Sequence, residues 1–298
     1  MRAFVPGIYA RSEELVQATR DLDRGRTTPE DVDEIFERDL EAFVAAQEEA
    51  GLDLLSDGLL RWQDVFRPLA EATEGLDARP LVRFLDTNTF YRAVLVDGEP
   101  RFSRPLPRPE LPAGGWVATL PSPLAFSRAS DGAVSAETAA SAVLAPQIQA
   151  YTDAECPLVV LAEPFAARDD VPELLGALAA LPDGVPLALW LPFTDASHLL
   201  ERLADAPVAA IGVDFYLTPL DALPRDYPKE VLAGIVDARR SLVEDLDEIG
   251  HFVEAVLQRS PAGVALVPNG DLQFVAEPIA REKVLRLGQA RSSLAEAA

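Results

Sequence analysis

The sequence predicts a single (β/α)8 barrel, a TIM-type fold, from three observations. Eight short apolar runs rich in Leu and β-branched residues alternate with longer segments of helical period, as when parallel strands are each followed by a crossover helix. The chain has 298 residues, 49% of them hydrophobic, which is enough for one such barrel. Acidic or polar residues follow most of the runs, where a barrel carries its functional rim.

The eight runs are Ala3 to Pro6, Leu52 to Ser56, Trp116 to Leu120, Leu158 to Ala162, Leu187 to Leu191, Val208 to Val213, Val231 to Val236 and Val264 to Val267. Between the first two, Thr28, Pro29 and Asp31 announce a helix: an N-cap, an N1 proline and an acidic N3 residue. Val32, Ile35, Phe36, Leu40, Phe43 and Val44 then recur at three- and four-residue spacing and form its inward stripe. Further helices are expected over Val171 to Leu181, Ala196 to Ala204, Leu242 to Leu257 and Ala280 to Leu294. Ser135 to Ala154 also reads as helix, kinked or divided by Pro146. About residues 81–112 the rhythm breaks into alternating residues followed by prolines, which predicts a β-hairpin and extended segment inserted after the second strand. No internal repeat is present, so one domain over 1–298 is the expectation.

Composition narrows the function classes. A formal charge of −23 with no Lys/Arg cluster disfavours nucleic acid and anionic membrane as partners and leaves a small-molecule ligand. No run approaches the roughly 20 apolar residues of a membrane span, and no signal-peptide core follows Arg2, so a cytoplasmic protein is expected. One cysteine, Cys156, excludes an intrachain disulfide.

The residues after the runs are the candidate site. Asp57, Glu163, Asp214 and Asp237 each follow one, and Asn269 follows the last. Each also reads as a helix cap or turn residue. Four carboxylates converging on one rim would raise some of their pKa values and favour a ligand carrying an amine or several donors.

These residues sit in motifs that resemble the cobalamin-independent methionine synthase family. Val5-Pro6-Gly7-Ile8-Tyr9-Ala10-Arg11-Ser12 is similar to its opening strand and turn, and Ser56-Asp57-Gly58, with Arg61 and Asp64 after it, to its second. Asp86-Thr87-Asn88-Thr89-Phe90-Tyr91 is similar to a segment of the family's N-terminal barrel. Glu163-Pro164 resembles the Asp-Glu-Pro signature, with Ala162 in place of its aspartate. Gly212-Val213-Asp214 and Gly234-Ile235-Val236-Asp237-Ala238-Arg239 continue the series in order. The resemblance implies that Glu163 contacts the amine of an amino-acid substrate, and it admits a folate-type methyl donor. The family's catalytic barrel holds zinc with a His-x-Cys pair, a Glu and a Cys; the equivalent positions here are Trp190-Leu191-Pro192, Asp214 and Gly270, so zinc is not expected. The likeness is thus to the zinc-free N-terminal barrel, which implies a zinc-bearing methionine synthase barrel as partner chain.

Trp190, at a strand end, either plugs the vacated pocket or stacks on a ring. Asn88 and Tyr91 reach over the rim from the hairpin or are merely exposed on it. Arg11 and Arg239 are anion clamps or ion-pair partners of nearby acids. Cys156 reads as a small buried residue, His198 and His251 as helix residues. No GxGxxG turn, Walker loop or G-x-S-x-G elbow is present. Three functions remain open: a diverged methyltransferase or companion barrel, a noncatalytic binding or scaffold protein, and a metal-free acid/base enzyme of unassigned substrate.

Overall fold

The structure, a computed structural model, describes residues 1–87, 89–109, 111 and 115–296. Seven parallel strands lie in the order β1-β9-β8-β7-β6-β5-β4, with β1 at Arg2–Ala3, β4 at Val117–Pro121, β5 at Leu158–Ala162, β6 at Leu187–Leu191, β7 at Ala210–Asp214, β8 at Glu230–Val236 and β9 at Gly263–Pro268. The predicted second run closes the ring through two isolated parallel bridges, Phe4 to Leu54 and Leu55 to Trp116. The expected barrel therefore forms with one stave cut to its minimum. Side chains take over its ladder: buried Gln47 donates to the Ser56 carbonyl and accepts from the Ser56 amide, both at 2.9 Å, and Ser56 Oγ donates to the Val5 carbonyl. A buried backbone needs partners, and a side-chain amide supplies both senses at once.

Inside the ring Phe4, Leu54, Leu158 and Leu232 pack with several alanines and one large indole. Ala162, Ala188, Ala210 and Ala265 surround a fully buried Trp190. A Cβ at Gly212 would lie 2.5 Å from Trp190 Cδ1, and one at Gly7 would lie 2.8 Å from its Cζ3, so the indole spans the barrel between β7 and the turn after β1. The outer core packs the other strand faces against helices such as Pro29–Glu49, whose predicted capping box and buried Phe36, Leu40, Phe43 and Val44 are present.

Several expected elements shift. The hairpin strands are β2, Thr73–Arg83, and β3, Phe90–Phe102, so the hairpin begins eight residues before the predicted start. Gly75 and Pro80 hid its first half, because neither favours a regular strand; register shifts between Glu74 and Leu76 and between Ala78 and Leu81 accommodate them. Glu110 and Pro112, near the predicted end of the insertion, lie outside the described residues, as does Asn88. Pro146 divides its helix as expected: a π-helical stretch, Ala139–Leu144, precedes the segment Ala145–Asp153 that carries the proline in its first turn. The helix expected from Leu242 starts at Leu246, capped by Asp245.

Candidate functional site at the barrel rim

Under the hairpin, at the C-terminal ends of the strands, lies a small cavity of about 30 Å³. Its polar wall comes from the loops after β1, the second stave and β9. Asp271 Oδ1 accepts the Ile8 amide at 2.8 Å, and the loop can come this close only because position 7 is glycine: φ is +78° there, and a Cβ would sit 2.2 Å from that oxygen. Burial pushes the Asp271 carboxyl up to about 6, against the lowering effect of the Ile8 amide and the Gln273 side chain. Gln63, at φ +52°, donates to the Tyr9 carbonyl at 2.9 Å and to Gln273 Oε1 at 3.3 Å.

Asp64 holds the hairpin down. Its Oδ1 accepts the amides of Phe66 (2.7 Å) and Arg67 (3.1 Å), and its Oδ2 accepts the Arg92 amide of β3 at 2.6 Å. Burial raises its pKa while these amides lower it. The apolar wall is aromatic. Tyr91 packs on Phe66 with ring centroids 5.1 Å apart, and Phe84 meets Phe165, Phe193 and Phe274 at 5.9, 6.3 and 6.2 Å.

Beyond Phe193, across β7, β8 and β9, lies a polar network. Asn269 Nδ2 donates to Asp214 Oδ1 at 3.0 Å and to Asp237 Oδ1 at 3.4 Å, while its own Oδ1 accepts the Ala238 amide. The Arg239 guanidinium lies 3.5 Å from Asp214 Oδ2 and 3.8 Å from Asp237 Oδ1, and sits 5.1 Å from the centre of the Phe193 ring. Asp214 is fully buried, and burial raises its pKa against the pull of Asn269 and Arg239. Its Oδ2 has no hydrogen-bond partner, so Arg239 is a loose ion-pair partner for it.

The four predicted carboxylates do not share a pocket. Asp214 and Asp237 come together with Asn269 and Arg239. Glu163, with no solvent exposure, points between β4 and β5, where it accepts from the Ser122 hydroxyl and from the Phe165 amide at 2.9 Å. Desolvation raises its carboxyl to about 7. Asp57 accepts the Leu59 amide and faces a separate small cavity toward Tyr151 and the Leu106 to Pro109 segment. Large residues fill the spaces between strand ends that the sequence left open, and they partition the rim. Arg11 spends its donors on the carbonyls of Leu60 and Arg61, and burial lowers its pKa to about 10. Tyr91 lines the rim cavity, whereas Trp190 lies in the barrel core. Asp271, Gln63 and Gln273 were missed from sequence. Asp271 follows Asn269-Gly270 directly, so the signal was a second polar residue after the last strand.

Among the described residues, no group of three or more His, Cys, Asp or Glu side chains is placed to hold a metal ion. Phe193, itself at φ +60°, covers Gly270, where a Cβ would meet the ring at 2.2 Å, and Trp190 fills the core beside Gly212. Trp190, Pro192, Asp214 and Gly270 offer neither a thiolate nor an imidazole. Cys156 is buried at the start of β5 and donates to the Leu158 carbonyl; His198 and His251 are exposed.

No family model matches the chain. A methionine synthase of Sulfolobus acidocaldarius is 22% identical over 303 residues, covering 95% of this chain and 89% of that protein. One of Saccharolobus islandicus is 22% identical over 304 residues, covering 95% and 91%. Among solved structures, a B12-independent methionine synthase from Shewanella sp. W3-18-1, in complex with selenomethionine, superposes with a TM-score of 0.74 at 15% identity over 91% of each chain. A putative vitamin-B12-independent methionine synthase from Listeria monocytogenes gives 0.74 at 16% identity over 99% and 98%. A methyltransferase from Methanosarcina mazei gives 0.57 at 13% over 99% and 94%. The chain thus has a methionine-synthase-like methyltransferase fold. Its resemblance to the cobalamin-independent methionine synthases extends over nearly its whole length, against relatives that are themselves of single-barrel size.

Proposed function

We propose that this chain is a diverged methyltransferase barrel, or the companion of a zinc-bearing one, that binds an amino-acid-like or folate-like ligand at its rim without the family's metal. The observation that carries this reading is the rim cavity, where a buried carboxyl, Asp271, and two glutamines face an aromatic wall. A carboxylate beside apolar surface suits an ammonium group with an apolar body, as in a thioether amino acid. The Shewanella structure holding selenomethionine agrees with that class. A cavity of about 30 Å³ admits only one or two waters, so the hairpin must lift before such a ligand enters.

The test is metal analysis of the purified protein, with calorimetric titration of homocysteine, methionine and methyltetrahydrofolate into wild type and Asp271→Asn. Binding without stoichiometric zinc, weakened about tenfold or more in the variant, is the expected result. Stoichiometric zinc would overturn the metal-free reading, and failure of all three ligands would overturn the ligand class. A second reading, a noncatalytic binding or scaffold protein, is favoured by Phe193 over Gly270 and by Trp190 in the core. Methyl transfer to homocysteine by the chain, alone or with a zinc-bearing barrel, decides against it.

A further inference from the structure

The outer face of the hairpin is unlike the rest of the surface. Residues opposite each other on an antiparallel ladder share a face, so Leu81 with Arg92 and Arg83 with Phe90 line one side, while Val82 and Tyr91 line the side that packs on Phe66. Six of the eleven exposed large apolar side chains among the described residues lie on this one hairpin and its turn, with Leu81 61% and Phe90 47% exposed. Its charge is reversed as well. Residues 79–108 carry six arginines against three acidic residues, in a chain whose formal charge is −23. Arg38, Arg61 and Arg281 each meet a carboxylate, but among the described residues Arg83, Arg92, Arg101 and Arg104 meet none, and Arg83 only overlies the Phe90 ring at 5.9 Å. Unpaired arginines on an exposed apolar ribbon suit an acidic partner surface.

The acidic counterpart lies in the same chain. Residues 13–41 carry eleven acidic residues against four arginines. In the helix Pro29–Glu49, Glu30, Glu34, Glu37 and Glu41 recur at four- and three-residue spacing and form an exposed stripe. Helix and hairpin are neighbours: Arg61 pairs with Asp33 and Glu37 at 2.6 and 3.5 Å, and three residues further on Asp64 holds the Arg92 amide of β3. A two-fold interface needs a surface complementary to itself, and a basic apolar patch bordering an acidic one meets that condition, because each patch finds its complement on the other copy.

We infer that the outer face of the hairpin docks on the helix Pro29–Glu49 of a second copy of this chain, and the second copy's hairpin on the first copy's helix, in a two-fold dimer. Bodies of like net charge repel at long range, but at about 0.15 M salt the screening length is only roughly 8 Å, so complementary groups in contact outweigh distant like charges. The dimer is independent of the rim ligand, since it uses the face of the hairpin turned away from Phe66.

The test is sedimentation velocity of the intact chain from low micromolar to submillimolar concentration, at about 0.15 and about 1 M potassium chloride. A dimer at the lower salt is expected, weakened at least about tenfold at the higher, where a screening length of roughly 3 Å reaches even touching pairs. Two variants changed only at exposed positions locate the contact: Leu81→Asp with Arg83→Glu on the hairpin, and Glu34→Lys with Glu41→Lys on the helix. Each alone should lose at least about tenfold in self-association, because both of its contacts then set like charges against each other. An equimolar mixture of the two should recover the dimer, since in the mixed pair both contacts are complementary again. Thermal midpoints matching wild type establish that both variants are folded. A monomer throughout would overturn the proposal, as would a dimer equally strong at both salts, one indifferent to both variants, or a mixture that stays monomeric.

Discussion

Glu163 has no solvent exposure, and its two bonds, from the Ser122 hydroxyl and the Phe165 amide, only partly offset the desolvation that raises its carboxyl from 4.5 to about 7. The folded chain therefore holds this proton more tightly than the unfolded chain does. Its contribution to stability is fully present below the unfolded value and is lost as pH rises through the folded one. Glu163→Gln removes the ionisation, so the variant should lose the decline in stability between about pH 5 and pH 8 and exceed wild type by roughly 2 kcal/mol at the upper end. Urea denaturation across that range reads it; parallel pH profiles for the two proteins would refute it. A steric prediction belongs at the same scale. An alanine Cβ at position 270 would enter the Phe193 ring, so Gly270→Ala should cost about 1–3 kcal/mol. In a Phe193→Ala background that cost should fall below about 1 kcal/mol, because the colliding atoms are gone. An undiminished cost in the double mutant would place the strain elsewhere.

The hairpin covers the rim cavity, and Asp64 is its latch. Asp64→Asn keeps an acceptor for the Phe66 and Arg67 amides but turns an NH2 toward the Arg92 amide, setting donor against donor across the contact with β3. The expected cost is about 1–3 kcal/mol, localised to the hairpin. Amide hydrogen exchange should accelerate at least about tenfold in Thr73–Arg83 and Phe90–Phe102 while β5 to β8 stay protected. Unchanged hairpin exchange would mean that the aromatic packing alone holds it. This latch also marks where sequence reading stops. Strands β5 and β6 were legible to the residue because continuous apolar runs end in turns, and the helix Pro29–Glu49 because its cap is local. The network of Asp214, Asp237, Asn269 and Arg239 was within reach because each member follows a strand end. Glu163 was placed on the rim correctly in chain position, but the neighbours that bury it arrive from Ser122, 41 residues away. Asp64 satisfies an amide 28 residues distant, and no local pattern records which backbone group a carboxylate will find.

At the scale of the whole molecule the dominant fact is charge. With 49 acidic against 26 basic residues, pairing every base would still leave 23 carboxylates uncompensated. The observed pairs are largely of the exposed kind, such as Arg38 with Glu14 and Arg61 with Asp33, each worth at most about 1 kcal/mol. Salt weakens these pairs and the net repulsion together, but the repulsion involves many more charges over longer distances, so relief of repulsion should win. Raising potassium chloride from about 0.05 to about 1 M shortens the screening length to roughly 3 Å, below the spacing of most surface carboxylates. Since 1 kcal/mol corresponds to roughly 2–4 °C in chains approaching this size, a midpoint rise of at least about 5 °C is expected. Chloride is the appropriate salt, because sulfate would strengthen apolar burial by a separate route. The same step at about pH 4, where many carboxylates are protonated, should have a smaller effect. Calorimetric scans at the two salt levels and two pH values separate the outcomes: a salt response of equal size at both would assign it to apolar burial, and a fall in midpoint would show that the ion pairs, not the repulsion, dominate the surface.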